Sequence, residues 1–285
     1  MKYSVVIPTF NRREKLVEAI DSVLRQRYAD IEIIVVDDGS DDDSCKMLAQ
    51  RFPEVHALQQ ANQGPAAARN RGIAAAKGEW IAFLDSDDIW LEHKIERELD
   101  LFKRFPEAAL LAGNASSLVE GTLRSADTFA QRQIPFVDQQ PRYFDWSLPI
   151  MKLGPTCCMS AMVFRLDALR MLGAHPFNER LRLDEDWDLE FRFFARFKAL
   201  LYPDIACHRR VFHDDTRHHY SSAGQIKSAA EQRTIWQQQR DIIARYLDVS
   251  AWDAETRAGF LQRHRELGAL LQKLEHGEEP AESRL

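Results

Sequence analysis

The chain has no apolar run approaching the ~18–20 residues that span a bilayer as a helix, which argues against a transmembrane segment. Its start, Met-Lys-Tyr-Ser-Val-Val-Ile-Pro, is too short for the apolar region of a secretory signal and is interrupted by Pro8. Cysteine is scarce. Cys45, Cys157, Cys158 and Cys207 are the only four, and none forms the C-x-x-C pair of a structural zinc site. Reduced thiols in a cytoplasmic protein are the plain reading. Positive charge is also in deficit: a net charge of −6 leaves no broad basic surface for nucleic acid or an anionic membrane. There is no internal repeat and no low-complexity tract.

What is present suits a soluble enzyme. A length of 285 residues, 45% hydrophobic and 29% charged, supports one large domain or one domain with an appendage. The most informative stretch is Asp85-Ser-Asp-Asp88, which follows the apolar run Trp80-Ile-Ala-Phe-Leu84. That run has the length and composition of a buried strand. Its carboxylates therefore stand at a strand's carboxyl end, where open α/β sheets place their ligands. Three acids in four positions need a compensating cation when buried, and a hard divalent metal carrying a diphosphate is the economical choice.

The first half alternates strands and helices. Residues 3–7 read as a strand, 8–11 as a loop, and 14–26 as an amphipathic helix with Leu16, Val17, Ile20, Val23 and Leu24 on one face. A strand at 31–36, a helix at 45–52, a strand at 55–58, a helix at 66–77 stopped by Gly78, and the strand at 80–84 follow. This order predicts an α/β fold, a mostly parallel sheet flanked by helices. Beyond it, 94–105 reads as a helix, 108–112 as a strand, 114–150 as loops over one edge, 184–197 as a helix and 205–212 as a strand. From residue 222 the pattern is helical, with a second helix near 255–274, which suggests a catalytic domain over 1–220 and a helical extension over 221–285.

Four motifs occur in order: Ser4-Val-Val-Ile-Pro-Thr-Phe-Asn-Arg12, Val35-Val-Asp-Asp-Gly-Ser40, Asn62-Gln-Gly-Pro-Ala-Ala-Ala-Arg-Asn-Arg-Gly72 and Phe83-Leu-Asp-Ser-Asp-Asp-Ile-Trp90. Together they resemble the family 2 glycosyltransferases with the GT-A nucleotide-sugar fold, over roughly residues 3–215. Phe177-Asn-Glu179 and Glu185-Asp186-Trp187 resemble the same family's acceptor-side acidic motif.

The resemblance implies that Pro8, Thr9, Phe10 and Asn11 wall a nucleoside pocket. The Asn11 side chain has a second reading as a helix cap. Asp38 is implied as a nucleotide contact and Asp37 as a turn-former. Asn62 and Gly64 belong to a loop beside the donor, and Arg69 either approaches the diphosphate or makes a surface ion pair. Asp85 and Asp87 match the DXD motif: Asp87 as metal ligand, Asp85 with Ser86 near the ribose or a metal-bound water, and Asp88 capping a helix that begins near Ile89. The metal would be Mg²⁺ or Mn²⁺. His213, ending Arg209-Arg-Val-Phe-His213, is the histidine implied to approach it. Asp186 is implied as catalytic base, with Glu185 positioning it or the acceptor. One base implies single displacement and inversion at the anomeric carbon.

The implied donor is a nucleotide-diphosphate sugar, a UDP-sugar above others, and the implied acceptor a saccharide or glycolipid in surface polysaccharide or glycoconjugate synthesis. Peripheral association with the inner face of a membrane and homo-oligomer contacts through the C-terminal helices are compatible with this. A catalytically silent nucleotide-binding or scaffold protein would keep the sheet but lose Asp87 or Asp186, and both are present. A nucleotidyltransferase needs a glycine-rich loop after its first strand, and residues 4–12 contain no glycine. The Gln-x-x-Arg-Trp motif of processive synthases is also absent, so transfer of one sugar is the expectation.

Overall fold

The computed structural model describes residues 1–119, 121–125, 127–144, 158–181, 183–211, 229–247 and 254–275. Its elements run β1 (Tyr3–Thr9), α1 (Arg13–Leu24), β2 (Ile31–Asp37), α2 (Ser44–Arg51), β3 (His56–Gln59), α3 (Pro65–Ala75), β4 (Trp80–Phe83), β5 (Ile89–Trp90) and α4 (Lys94–Arg104). They continue with β6 (Leu110–Val119), β7 (Thr122–Ser125), α5 (Thr128–Gln131), β8 (Arg142–Tyr143), β9 (Met162–Arg165), α6 (Leu166–Arg170), α7 (Glu185–Phe194), β10 (Ala199–Val211), α8 (Ala229–Tyr246) and α9 (Ala254–Glu275).

Among the described residues all strands join one sheet in the order β3-β2-β1-β4-β9-β6-β10-β5, with β7 on β6 and β8 on β10. β1 is wholly buried, and its apolar run Val5-Val-Ile-Pro8 suits a strand covered on both faces. It pairs in parallel with β2 and β4, and the register places Thr9 opposite Asp37. The loops leaving β1, β2 and β4 therefore emerge at one edge of the sheet. α3 packs closely over β1: a Cβ added at Gly72 would lie 2.3 Å from a Val6 methyl.

Several expectations need correction. Pro8 and Thr9 belong to β1 and not to the loop after it. Leu24 lies off the buried face of α1 and is 46% exposed. Gly78 does not cap α3, which ends at Ala75; its N–H donates to Ser4 Oγ at 2.8 Å, where any side chain would collide. No helix begins at Ile89. Ile89 and Trp90 pair with β10, and the helix starts only at Lys94. The region after residue 114 holds the end of a ten-residue strand, β6, with β7, α5 and β8 beyond it.

One apolar cluster holds Val6 of β1, Phe164 of β9 and Phe191 and Phe193 of α7 together with Trp236, Ile242, Phe260 and Leu267 of the C-terminal helices. Those helices thus share the core of the sheet domain. Among the described residues no helix is long and apolar enough to cross a membrane.

Candidate active site

At the carboxyl edge of the sheet, Asp37 turns back on its own loop, accepting from Ser40 N at 3.1 Å, Ser40 Oγ at 2.5 Å and Cys45 Sγ at 2.8 Å. Asp38 reaches outward. One of its oxygens accepts from Gln60 Nε2 at 2.8 Å and Gln63 N at 2.9 Å, and the other from Gly64 N at 2.7 Å. It therefore fixes the loop entering α3, where Gly64 takes a φ of +92° that other residues rarely adopt. Asn62 is exposed on this loop.

Asn11 does not cap α1, as the alternative reading had it. Its Oδ1 accepts from Asp41 N and its own N–H donates to Ser40 Oγ, both at 2.9 Å, so it ties the β1 and β2 loops together. Asn11 takes a φ of +50°, and the cap position falls on Arg12, which makes no side-chain cap bond. Phe10 is 40% exposed beside these loops. Pro8 and Thr9 are buried beneath it, and Thr9 Oγ1 has no hydrogen-bond partner.

The acidic turn after β4 is neutralised by arginines. Arg12 Nη1 holds Asp87 Oδ2 at 2.8 Å. Arg69 on α3 donates to Asp85 Oδ1 and to Glu185 Oε1, each at 2.7 Å, with its guanidinium 5.3 Å from the Phe177 ring centroid. Its side chain is only 7% exposed, so the surface ion-pair reading is replaced by a buried bridge. Burial opposes its charge, but Asp85 and Glu185 outweigh that and raise its pKa above the ordinary value. Ser86 is buried. Asp88 accepts from Ser160 Oγ at 2.6 Å and Arg210 N at 3.0 Å. It pins β10 and the turn at residues 159–161 to the acidic loop, not a helix. Burial, then Cys158, Asp87 and Asp85, push its pKa well above the carboxylate range.

Across from this turn, α7 begins at Glu185. Asp186 is partly buried in its first turn. Burial, with Glu185, Asp184 and Glu190 nearby, raises its pKa well above the carboxylate range, while Arg69 pulls it down. Asp184 is similarly pushed up to about 6, chiefly by burial, and its Oδ2 has no hydrogen-bond partner. Asn70 completes the arrangement. Its amide brackets Phe177, accepting from the N–H at 2.9 Å and donating to the carbonyl at 2.8 Å, and it also donates to Glu179 Oε1 at 2.8 Å.

The fold thus gathers Phe10, Asn11, Asp38, Gly64, Arg69, Asp85, Asp87, Glu185 and Asp186 around one edge of the sheet. His213 lies outside the described residues. Arg12, Asn70, Ser160 and Arg210 had no assigned role in the sequence reading. Arg12, Asn70 and Arg210 stood inside quoted segments, but Ser160 and Arg210 meet Asp88 from 72 and 122 positions away, contacts that leave no local signal.

The sequence profile of glycosyl transferase family 2 matches residues 4–172. The chain belongs to that family. An uncharacterized glycosyltransferase of Nostoc sp. is 35% identical over 176 residues, 59% of this chain and 52% of the relative. Glycosyltransferase GlyG of Streptococcus pneumoniae is 48% identical over 97 residues, 33% of this chain and 32% of its own length. The matches thus span about half or less of these relatives. Among solved structures, S. aureus TarS 1–349 in complex with UDP-GlcNAc superposes with a TM-score of 0.69 at 19% identity, covering 93% of this chain and 73% of that one. Mannosyltransferase PcManGT from Pyrobaculum calidifontis, in complex with GDP-Man and Mn²⁺, gives 0.59 at 15% identity, covering 98% and 76%. These likenesses establish a shared GT-A fold.

Proposed function

We propose that this protein transfers one sugar from a nucleotide-diphosphate sugar, a UDP-sugar above others, to a hydroxyl of a saccharide or glycolipid acceptor. The anomeric configuration inverts, and the product belongs to surface polysaccharide or glycoconjugate synthesis. The observation that carries this reading is the Arg69 bridge. One buried guanidinium links Asp85, at the end of β4, to Glu185, beside Asp186 on α7. Two carboxylate groups suited to the two halves of a transfer reaction are thereby held in one rigid unit.

Phe10, Asn11, Asp38 and the 62–64 loop surround the nucleoside in this reading. Asp38 already fixes the loop that would meet it, accepting from Gln63 N and Gly64 N. Asp87, with Asp85 beside it, would hold Mg²⁺ or Mn²⁺, since carboxylate oxygens suit hard cations. Among the described residues no group of three or more metal-binding side chains is assembled. That fits an ion taking its remaining ligands from the donor diphosphate, as Mg²⁺ commonly does. When bound, it would stabilise the charge on the departing nucleoside diphosphate.

Asp186 would accept the proton of the acceptor hydroxyl as that oxygen attacks the anomeric carbon. Its environment raises its proton affinity, which favours proton acceptance once it is ionised. Arg69 opposes that rise. Glu185, locked to Arg69, would hold the start of α7 in register with the donor side.

The test begins with thermal-shift screening of nucleotide sugars with Mg²⁺ or Mn²⁺, because a ligand of the native state raises its apparent stability. With the donor in hand, Asp186→Asn should retain donor affinity and lose transfer by roughly 10²–10⁴-fold, the range for a positioned base. NMR of the wild-type product should show inversion. Near-normal turnover in the variant, or retained configuration, would remove Asp186 from the role of base.

A further inference from the structure

Beside the start of α7 lies a cleft that the proposed chemistry does not use. It comprises two hollows of about 570 and 470 Å³, which share Asn178, Arg180 and Arg245 as walls. One side is the loop around residues 175–181, and the other is α8, which contributes Gln238 and Asp241. α8 links the cleft to the start of α7: Gln239 bonds the Asp184 side chain, and Gln238 is its neighbour in the chain.

One buried acceptor in this wall is unused. Gln238 Oε1 is shut off from solvent without a hydrogen-bond partner. Buried polar atoms are nearly always satisfied, so such an atom calls for a donor not yet present. One donor on offer is idle as well. Arg180 is exposed and its guanidinium has no partner among the described residues. Arg245 uses Nη1 on Asp188 at 3.2 Å and is 49% exposed.

The charge balance decides the class of ligand. Arg180, Arg192 and Arg245 face Asp188, Glu179 and Asp241, so formal charge cancels and a phosphate would gain little. A sugar hydroxyl both donates and accepts, which matches a wall of alternating amides, guanidinium groups and carboxylates. We propose that this cleft is a subsite for a neutral saccharide unit of the acceptor, with Gln238 receiving one of its hydroxyls and Arg180 donating to its oxygens. The proposal rests on the acceptor being a saccharide, and it places the chain of that acceptor along the side of α7 that leads from Asp186 towards α8.

A single sugar offers few atoms to bind, so millimolar affinity is expected, and saturation-transfer NMR reads that range. The probes are the methyl glycosides of glucose, galactose, mannose, rhamnose and N-acetylglucosamine, presented to the full chain. The expected result is saturation transfer to at least one glycoside, weakened five-fold or more by Arg180→Ala and by Gln238→Leu. Nucleotide thermal shifts should be unchanged in both variants. Arg180 is exposed, so its alanine variant tests binding without threatening the fold. No saturation transfer to any of the five glycosides would overturn the proposal, as would signals that both substitutions leave intact. If glycosides bind here while no nucleotide sugar stabilises the protein, the cleft stands and the transferase reading fails. Nucleotide-sugar binding without glycoside binding gives the reverse.

Discussion

Asp87 already has a cation within reach, the Arg12 guanidinium at 2.8 Å, and both side chains are nearly enclosed, at 12% and 11% exposure. A divalent ion drawn to Asp87 would compete with that ion pair, since one carboxylate cannot serve both partners at full strength. Arg12→Gln keeps a hydrogen-bond donor and removes the charge. It should therefore tighten Mn²⁺ binding in the presence of UDP several-fold, read by electron paramagnetic resonance of free Mn²⁺. Asp87→Asn should abolish the same signal with little change in the circular dichroism spectrum. Unchanged Mn²⁺ affinity in Asp87→Asn would dismiss Asp87 as a ligand, and unchanged affinity in Arg12→Gln would dismiss the competition. Asp87 stands out in the sequence because it sits in a compact local motif. The sequence did not disclose that arginines, as well as any metal, compensate the acidic turn. That depends on α1 and α3 being brought to β4 by the sheet, a consequence of topology.

At the scale of elements, the parallel strands were legible and the partners of α4 were not. β1, β2 and β4 are short, apolar and buried on both faces, so their composition announces them. β6 was read only at its start, because its later residues, Asn114, Ser116 and Ser117, are polar and still lie in the sheet beside β10. Lys94 and Glu98 have the spacing of an exposed helical ion pair. In the fold both side chains are 0% exposed, 2.6 Å apart. Glu98 also accepts from Tyr3 OH at 2.6 Å and Tyr202 OH at 2.9 Å, and Lys94 Nζ sits 4.2 Å from the Trp90 ring centroid. This network joins α4 to β1, β5 and β10. A buried carboxylate stripped of its cation typically costs about 3–5 kcal/mol. Lys94→Met should lower the denaturation midpoint in urea by that much stability, while the exposed pair His93–Glu96 can be removed almost silently. A Lys94→Met protein with wild-type stability would show that the tyrosine hydroxyls alone satisfy Glu98.

The whole molecule is held together through α7. Asp188, only 1% exposed, accepts from Arg192 of its own helix and from Arg245 and Tyr246 of α8, while Tyr246 stacks on Phe191 at 5.2 Å. A chain ending at residue 228 would expose Phe191 and the rest of that apolar face. Such a truncation should aggregate on gel filtration, and a monomeric, donor-binding truncation would argue for an independent sheet domain. The same helix sets how stability varies with pH. Burial raises the Asp184 pKa from 3.8 to about 6, so the folded state holds this proton more tightly than the unfolded chain does. Between those values the folded protein binds more protons, and stability therefore falls as pH rises through the window. Above pH 6 the penalty is complete, on the order of 3 kcal/mol at about 1.4 kcal/mol per unit. Asp184→Asn removes the charge, and asparagine tolerates the left-handed backbone found there, with φ at 59°. The variant should melt higher than wild type at pH 7.5, and the gain should shrink to nothing near pH 4. Such a gain at the margin of an active site would mark Asp184 as a residue kept for binding at the expense of stability. Equal melting temperatures at pH 7.5, or a gain that persists at pH 4, would show that the burial of this carboxyl carries no such penalty.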